Sequence, residues 1–431
     1  MRYINIGNLI HKVTNNKNTK LLDLPLLGLH IEKKFIPSVA NIIGTDMSKY
    51  QIIRKWQFAY TGMQVGRDES LHIALYDKDA PALITPAYTI FEVNNTSEII
   101  PEYLMLYLRR PESDRLGWFY SDSSVRSNLD WDRFCSIEIP IPSLEHQREI
   151  VTKYNQINEA IAIKERLNNN LEQQADSIFY SFFIDDVNEE FIKTNLGNIC
   201  KCELGGTPSR DIEEYWGGNI AWINSGKVND FRITCPSEFI TELGLKKSAT
   251  KLMPPKTVVI AITGATLGQV SILEIFAAAN QSVIGILENK TIPYEYIYPY
   301  IKYKLQLLLT YQTGGAQQHI NKQNVENLEI DIPSDKYMSK YKDTVKPIYK
   351  AISNNCITID KMNTLKNTLL PKLMLESGES SSDKLSFILL FTQSDQPEVT
   401  SDQPGKIGPH YNPCVYWGLG YTRPAKIFLF R

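Results

Sequence analysis

Few stretches of this chain carry residues able to make or break a bond. In "HYNPCVYWG" at 410–418, Asn412 and Pro413 faintly resemble a loop that holds an exocyclic amine for methyl transfer, Asn/Asp-Pro-Pro-Tyr/Phe. Cys414 stands where the second proline belongs, no aromatic follows in place, and no Phe-x-Gly-x-Gly loop accompanies it. Metal-assisted hydrolysis needs clustered carboxylates with a lysine, and "IEKK" at 31–34 is only a fragment of that pattern. The glycines of "TVVIAITGATLGQVSIL" at 257–273 lack the order of a phosphate-cradling loop and no helix signal follows, so a hairpin is expected. The six cysteines, at 135, 200, 202, 235, 356 and 414, form no Cys-x-x-Cys and have no histidine at metal spacing. Neither structural zinc nor a disulfide framework is expected. The six histidines are scattered, with no Ser-His-Asp or Cys-His signature. A chain without catalytic chemistry of its own is the expectation.

Binding chemistry is better supplied. Lysine and arginine fix register on phosphates, while side chains at base edges read sequence. In the first half Lys33, Lys34, Arg67 and Arg126 lie in polar or glycine-flanked stretches, and in the second Arg210, Lys227, Arg232, Lys246, Lys247 and Lys322 do. Asn128, Gln317, Gln318 and Asn321 suit adenine edges, and equally suit turn caps. The net charge of -2 sets a condition. Counterion release supplies much of nucleic-acid affinity, so such a ligand requires a segregated basic face or partner subunits that add charge.

The elements that must position these residues are duplicated. Pro142 and Pro333 end "IEIPIPS" and "LEIDIPS", Gly7 and Gly197 sit in "INIGNLI" and "TNLGNIC", and "YLMLYL" at 103–108 resembles "YIYPYI" at 296–301. All three matches share an offset near 190 residues and occur in the same order. Each copy begins with mixed strands and turns, closes on a strand ended by proline, and then enters a long helix. Proline suits a strand's exit because it cannot donate to a further ladder bond. Ser143 and Ser334 suit the N-caps that follow. At 431 residues, two or more cores are expected.

Both long helices carry an apolar stripe at coiled-coil spacing. In the first, Ile150, Tyr154, Ile157 and Ile161 alternate steps of four and three; Leu167, Leu171, Ala175, Ile178 and Phe182 resume after a slip near Lys164, which reads as a stutter. In the second, Met338, Tyr341, Val345, Ile348, Ile352, Ile359, Met362, Leu369 and Leu373 fall mostly on the seam. Pro347 is expected to kink the second helix or to mark its true start. Two such helices can hide their stripes in one another. Antiparallel pairing then relates the two copies by a local two-fold axis.

The segments "LGNI", "GGTPS", "EYWGGNIAWI", "GATLG", "ANQSV", "GGAQQHINKQNVENLEIDIPS" and "LEHQREIV" resemble those of a type I restriction-modification specificity subunit. "KKFIPSVAN" and "SVRSNLDWDRFCSIEIPIPS" look like a second version of the same target-recognition domain, so the resemblance covers residues 1 to about 379. It implies an α+β fold: two α/β target-recognition domains separated by two long helices that form an antiparallel coiled coil, a pseudo-two-fold tandem repeat. The boundaries expected are 1–142 and 186–334 for the recognition domains, 143–185 and 335–376 for the helices, and 377–431 for an atypical, weakly ordered tail. The resemblance further implies a non-catalytic subunit for phage defence that reads a bipartite site on double-stranded DNA. Two methyltransferase subunits dock on it, and restriction/translocase subunits attach through them. No cofactor is implied in this chain; S-adenosylmethionine, ATP and Mg belong to the partner subunits. A stand-alone coiled-coil DNA-binding regulator is the alternative. No run of about 18 apolar residues and no signal-peptide pattern occurs, so a cytoplasmic location is expected.

Overall fold

The computed structural model describes residues 2–39, 44–63, 65–122, 127–185, 190–311 and 319–374. These divide into two compact units: the chain through Glu159 together with the segment from Leu365 on, and Ala160–Thr364. The division cuts both long helices instead of falling at their ends. Ile150, Val151 and Met374 enter the core of the first unit, whereas Ala175, Phe179, Phe183 and Met338–Tyr349 supply the core of the second. The tail expected to be atypical, from 377, lies outside the described residues.

Both units build one common topology, to which the first adds the strand Gln51–Ile53. In the first, Arg2–Asn5 pairs antiparallel with Glu138–Ile141, closing the unit's beginning on its end. An antiparallel sheet runs in the order Ile10–Lys12, Thr89–Val93, Phe58–Thr61, His72–Leu75. A second sheet orders Lys34–Pro37, Leu26–His30, Ala82–Ile84 and Gln51–Ile53, with a parallel pair between Leu26–His30 and Ala82–Ile84. In the second unit Ile192–Asn195 pairs antiparallel with Glu329–Ile332. Its antiparallel sheet runs Lys201–Leu204, Val283–Leu287, Val258–Ala261, Val270–Ile272. Its other sheet holds Trp216–Ile223 between Glu238–Ile240 and Ala278–Ala279, the last pairing again parallel. The duplication read from three short matches therefore extends to strand order and direction.

The strand-proline-helix junctions behave as their chemistry requires. Pro140 sits opposite Tyr3 in a two-stranded ribbon, where a missing N–H can face outward. Ser143 Oγ accepts from His146 N at 3.3 Å and Ser334 Oγ from Tyr337 N at 3.4 Å, so each hydroxyl caps the first turn. Gln147, fully buried, ties the first helix to its unit: its amide donates to Glu98 O at 2.9 Å and Pro142 O at 3.0 Å and accepts from Ile100 N at 3.0 Å.

The long helices span Leu144–Phe183 and Asp335–Leu373. In the second unit Lys164 and Asn168 meet Asn355 while Phe182 O accepts from Tyr337 Oη at 2.8 Å, so rising numbers on one helix face falling numbers on the other. That is antiparallel pairing. In the first unit Lys366 Nζ donates to Asn158 Oδ1 at 3.0 Å and lies over the Tyr154 ring.

Two expectations about the seam are corrected. There is no stutter: Ile150, Tyr154, Ile157, Ile161, Lys164, Asn168, Leu171, Ala175, Ile178 and Phe182 keep alternate steps of four and three, and all are at least partly buried. Polar residues at 164 and 168 occupy seam positions, and their polarity alone produced the impression of a slip. Leu167, expected inside, is 46% exposed, while Asn168 is 3% exposed. Likewise Phe179, rather than the partly buried Ile178, is the fully buried residue of its turn. In the second helix Val345, Ile348, Ile352, Ile359 and Met362 turn inward as expected, with buried Asn355 completing the repeat. The side chain of Leu369 lies outside the described residues. Pro347 does not mark the helix start, which is Asp335; it sits exposed with its helix continuous through it.

Candidate nucleic-acid interface

In the second unit, the strand Lys201–Leu204 runs into Gly205-Gly206, and the sheet permits no side chain there. A Cβ at Gly205 would lie 2.1 Å from Asn280 O and 2.5 Å from Ala279 O, both backbone. The two glycines instead bond directly to the sheet, Gly205 N to Val283 O at 3.0 Å and Gly206 N to Ala279 O at 2.7 Å. Trp222, buried as its strand position requires, donates from Nε1 to Gly206 O at 3.1 Å. The loop that follows is thereby aimed from both sides.

Arg210 sits on that loop with its guanidinium 3.6 Å from the Trp216 ring centroid. Glu238 receives it bidentately, at 2.6 and 2.7 Å. A planar fork that is stacked and doubly hydrogen-bonded is orientationally fixed, yet this side chain remains 54% exposed. Exchange of Glu238 for a phosphate or a guanine edge is the chemistry open to it. Sequence reasoning found Arg210 but not the Trp216 platform or the Glu238 clamp. Arg210 and Trp216 are close neighbours in the chain, whereas Glu238 follows Arg210 by 28 residues and is brought to them by the pairing of Trp216–Ile223 with Glu238–Ile240.

The remaining basic candidates separate by burial. Lys34 pairs with Glu32, Arg67 with Asp68 at 2.9 Å, Lys227 with Asp230 at 2.7 Å, Lys246 with Glu242 at 3.7 Å and Lys322 with Glu326 at 3.1 Å. Exposed pairs of this kind are worth about 0–1 kcal/mol, so a phosphate can displace the carboxylate at little cost. Lys247 is exposed at the end of the same short helix as Lys246.

Lys33 and Arg232 are corrections, since both are interior. Lys33, 4% exposed, donates to Leu108 O at 2.7 Å and pairs with Asp114 at 2.7 Å, binding a hairpin turn to the helix Pro111–Tyr120. Burial holds its pKa below the usual lysine value despite Asp114. The Arg232 side chain is 1% exposed, 3.7 Å from Glu172, and stacked near Tyr298 and Tyr349. Neither can reach a phosphate without uncovering a buried charge. Arg126, Gln317 and Gln318 lie outside the described residues. Asn321 is committed to a reciprocal capping box with Asn324. Asn128 N is held by Asp122 Oδ1 at 3.0 Å.

The hairpin expected around Gly264–Gly268 is present: Val258–Ala261 pairs antiparallel with Val270–Ile272, and both glycines take positive φ, 67° and 86°. Among the described residues no group of histidine, cysteine, aspartate and glutamate side chains is placed to hold a metal ion. A cavity of about 370 Å³ in the first unit is lined by Trp56, Glu92, Val93, Thr96, Ile100, Pro101 and Glu102, and its carboxylates disfavour phosphate.

Residues 74–173 and 188–372 match the family described as type I restriction modification DNA specificity domain. The chain belongs to that family. It is similar to the MjaIX specificity subunit of Methanocaldococcus jannaschii, 26% identical over 67% of this chain and 71% of the relative. It is also similar to the HindI specificity subunit of Haemophilus influenzae, 20% identical over 80% of this chain and 91% of the relative. The crystal structure of a type I restriction-modification system S subunit from M. genitalium shares the fold, with a TM-score of 0.52 at 13% identity over 86% of this chain and 95% of that one. DNA recognition within a type I restriction-modification system is thus the function of this subunit, and the stand-alone regulator is not favoured. Among the described residues no helix is long and apolar enough to cross a membrane.

Proposed function

We propose that the subunit reads a bipartite, asymmetric site on duplex DNA, one half with each unit, and directs adenine methylation and cleavage carried out by other chains. The observation that carries this reading is the twofold use of one strand topology with different loop residues. Two heads of one design but unlike loops suit two unlike half-sites. The subunit supplies recognition rather than catalysis and works in the cytoplasm. Its helices seat two methyltransferase subunits, to which the restriction/translocase subunits attach. S-adenosylmethionine, ATP and Mg serve those partners.

The test is sequencing of methylated adenines in the host genome with and without this gene. A split motif with a fixed, unspecified spacer should vanish on deletion. Loss of a contiguous palindrome, or no change in methylation, would overturn the bipartite reading. Purified subunit that methylates or cuts DNA alone would overturn its non-catalytic role.

A further inference from the structure

The recognition loops hold most of their cations in local ion pairs, so the unpaired positive charge must be sought elsewhere. The helix Asp335–Leu373 holds eight lysines against three aspartates, with no glutamate, giving +5 within a chain of -2. Its partner Leu144–Phe183 has four lysines and arginines against six carboxylates, giving -2. Solubility alone does not explain so one-sided a helix beside so balanced a neighbour.

Position sharpens the contrast. Lys336, Lys340, Lys346, Lys350 and Lys361 are all exposed. At 100° per residue they fall within an arc of about 120° centred opposite Val345 and Ile352 of the seam. Asp343 is the helix's one carboxylate within that arc. Among the described residues none of the five lysines enters an ion pair, although Lys340 lies 5.6 Å over the Phe182 ring. Lys336 with Lys340 and Lys346 with Lys350 are like charges four apart, each pair costing the helix about 0.2–0.5 kcal/mol.

We propose that this lysine face is a sequence-independent phosphate-contacting surface, so that the long helix as well as the recognition loops holds duplex DNA. The inference rests on the DNA-recognition function and names a second place where the duplex is bound. Lys336 to Lys361 covers about 37 Å, close to one turn of duplex. A polyanion of that repeat matches the face, and release of its counterions supplies the driving force. Lysine fits the task because its ammonium is a compact point charge on a flexible stem, without the planar fork that matches base edges. The surface therefore adds affinity without adding specificity.

The test compares the full-length chain, assembled with its partner subunits, with a variant carrying glutamine at all five positions. Binding of mixed-sequence duplex DNA is followed across a potassium chloride series. The slope of log affinity against log salt should flatten by about 0.9 for each phosphate that a lysine no longer neutralises. Preference for the methylation motif over scrambled sequence should stay unchanged, and the five-arginine variant should restore the slope. Protection of the same lysines of the native chain from acetylation by mixed-sequence duplex provides a readout independent of folding of the variant. An unchanged slope, or lysines acetylated equally with and without DNA, would overturn the proposal. Failure of the variant to assemble with its partners, together with native lysines acetylated equally with and without DNA, would assign the face to protein docking instead. Failure of the native complex to prefer any motif would count against the bipartite reading, while the slope difference still decides this one.

Discussion

Asn355 donates from Nδ2 to Oδ1 of Asn168 across 2.9 Å, where the two long helices of the second unit pack and both side chains are largely buried. Lys164 Nζ adds a bond to Asn355 Oδ1 at 3.1 Å, and Asn168 Nδ2 reaches Cys356 Sγ at 3.4 Å. Apolar seams alone specify register weakly, because a slip by one heptad still buries leucine and isoleucine. A buried amide pair penalises every slipped register by leaving its polar atoms unpaired.

Single and double substitutions should therefore diverge. Asn355→Leu leaves the Asn168 amide buried without its partner and should destabilise the second unit by about 1–3 kcal/mol. Asn168→Leu combined with Asn355→Leu should recover most of that loss, and cross-linking should then show more than one helix register. Urea unfolding of the single and double variants checks the first point. A double variant as unstable as the singles would contradict it.

Glu172 is the counter-charge on which the interior of the second unit depends. It accepts from Tyr298 Oη at 2.6 Å and lies 3.4 Å from Lys302 and 3.7 Å from the buried Arg232. Asp176, 3.2 Å from Lys302, completes the group. Glu172→Ala removes that partner from a guanidinium with no access to water, and the expected loss is about 3–5 kcal/mol. Arg232→Met made together with Glu172→Gln should cost much less. Chemical denaturation that ranks the two variants equally would contradict the assignment.

The repeat, the antiparallel helices and the N-caps were legible because each leaves a local mark: an offset, a stripe, a serine after proline. What was not legible depends on pairing across the fold. Leu167 reads as a seam residue because it is apolar, whereas Asn168, which the apolar stripe passes over, is the residue that the bond to Asn355 holds inside. Lys33 and Arg232 read as loop cations because their counter-charges, Asp114 and Glu172, lie distant in sequence. The lysine face was hidden by averaging, since net charge says nothing about segregation along one helix.

Stability should also carry a distinctive pH dependence at Glu295. This residue is 3% exposed, its Oε2 has no hydrogen-bond partner, and burial raises its pKa above the ordinary 4.5, with Glu288 adding to the shift and Lys342 and Lys256 opposing it. Between 4.5 and the raised value the folded chain holds a proton that the unfolded chain has released. Stability therefore falls as pH rises through that window and stays lower above it. Glu295→Gln removes this dependence, so its advantage over the native residue should grow with pH and then level off. Thermal melts of both proteins in a buffer series measure the difference, and parallel curves would contradict the sign.

Gly205→Ala tests whether the loop bearing Arg210 is aimed by the sheet beneath it. The new methyl would meet backbone oxygens of Asn280 and Ala279 at 2.1 and 2.5 Å, which cannot rotate away as a side chain can. The strand Lys201–Leu204 must shift, and with it the bonds from Gly205 to Val283 and from Gly206 to Ala279. Overpacking of this kind costs about 1–3 kcal/mol. Only the second unit carries the change, so recognition of one half-site should relax while the other is still read. Methylome sequencing of a strain carrying Gly205→Ala should show a motif degenerate on one side of its spacer. Equal degeneracy on both sides would mean that the two units do not read independently, whereas an unaltered motif would mean that the loop is not part of the reading surface.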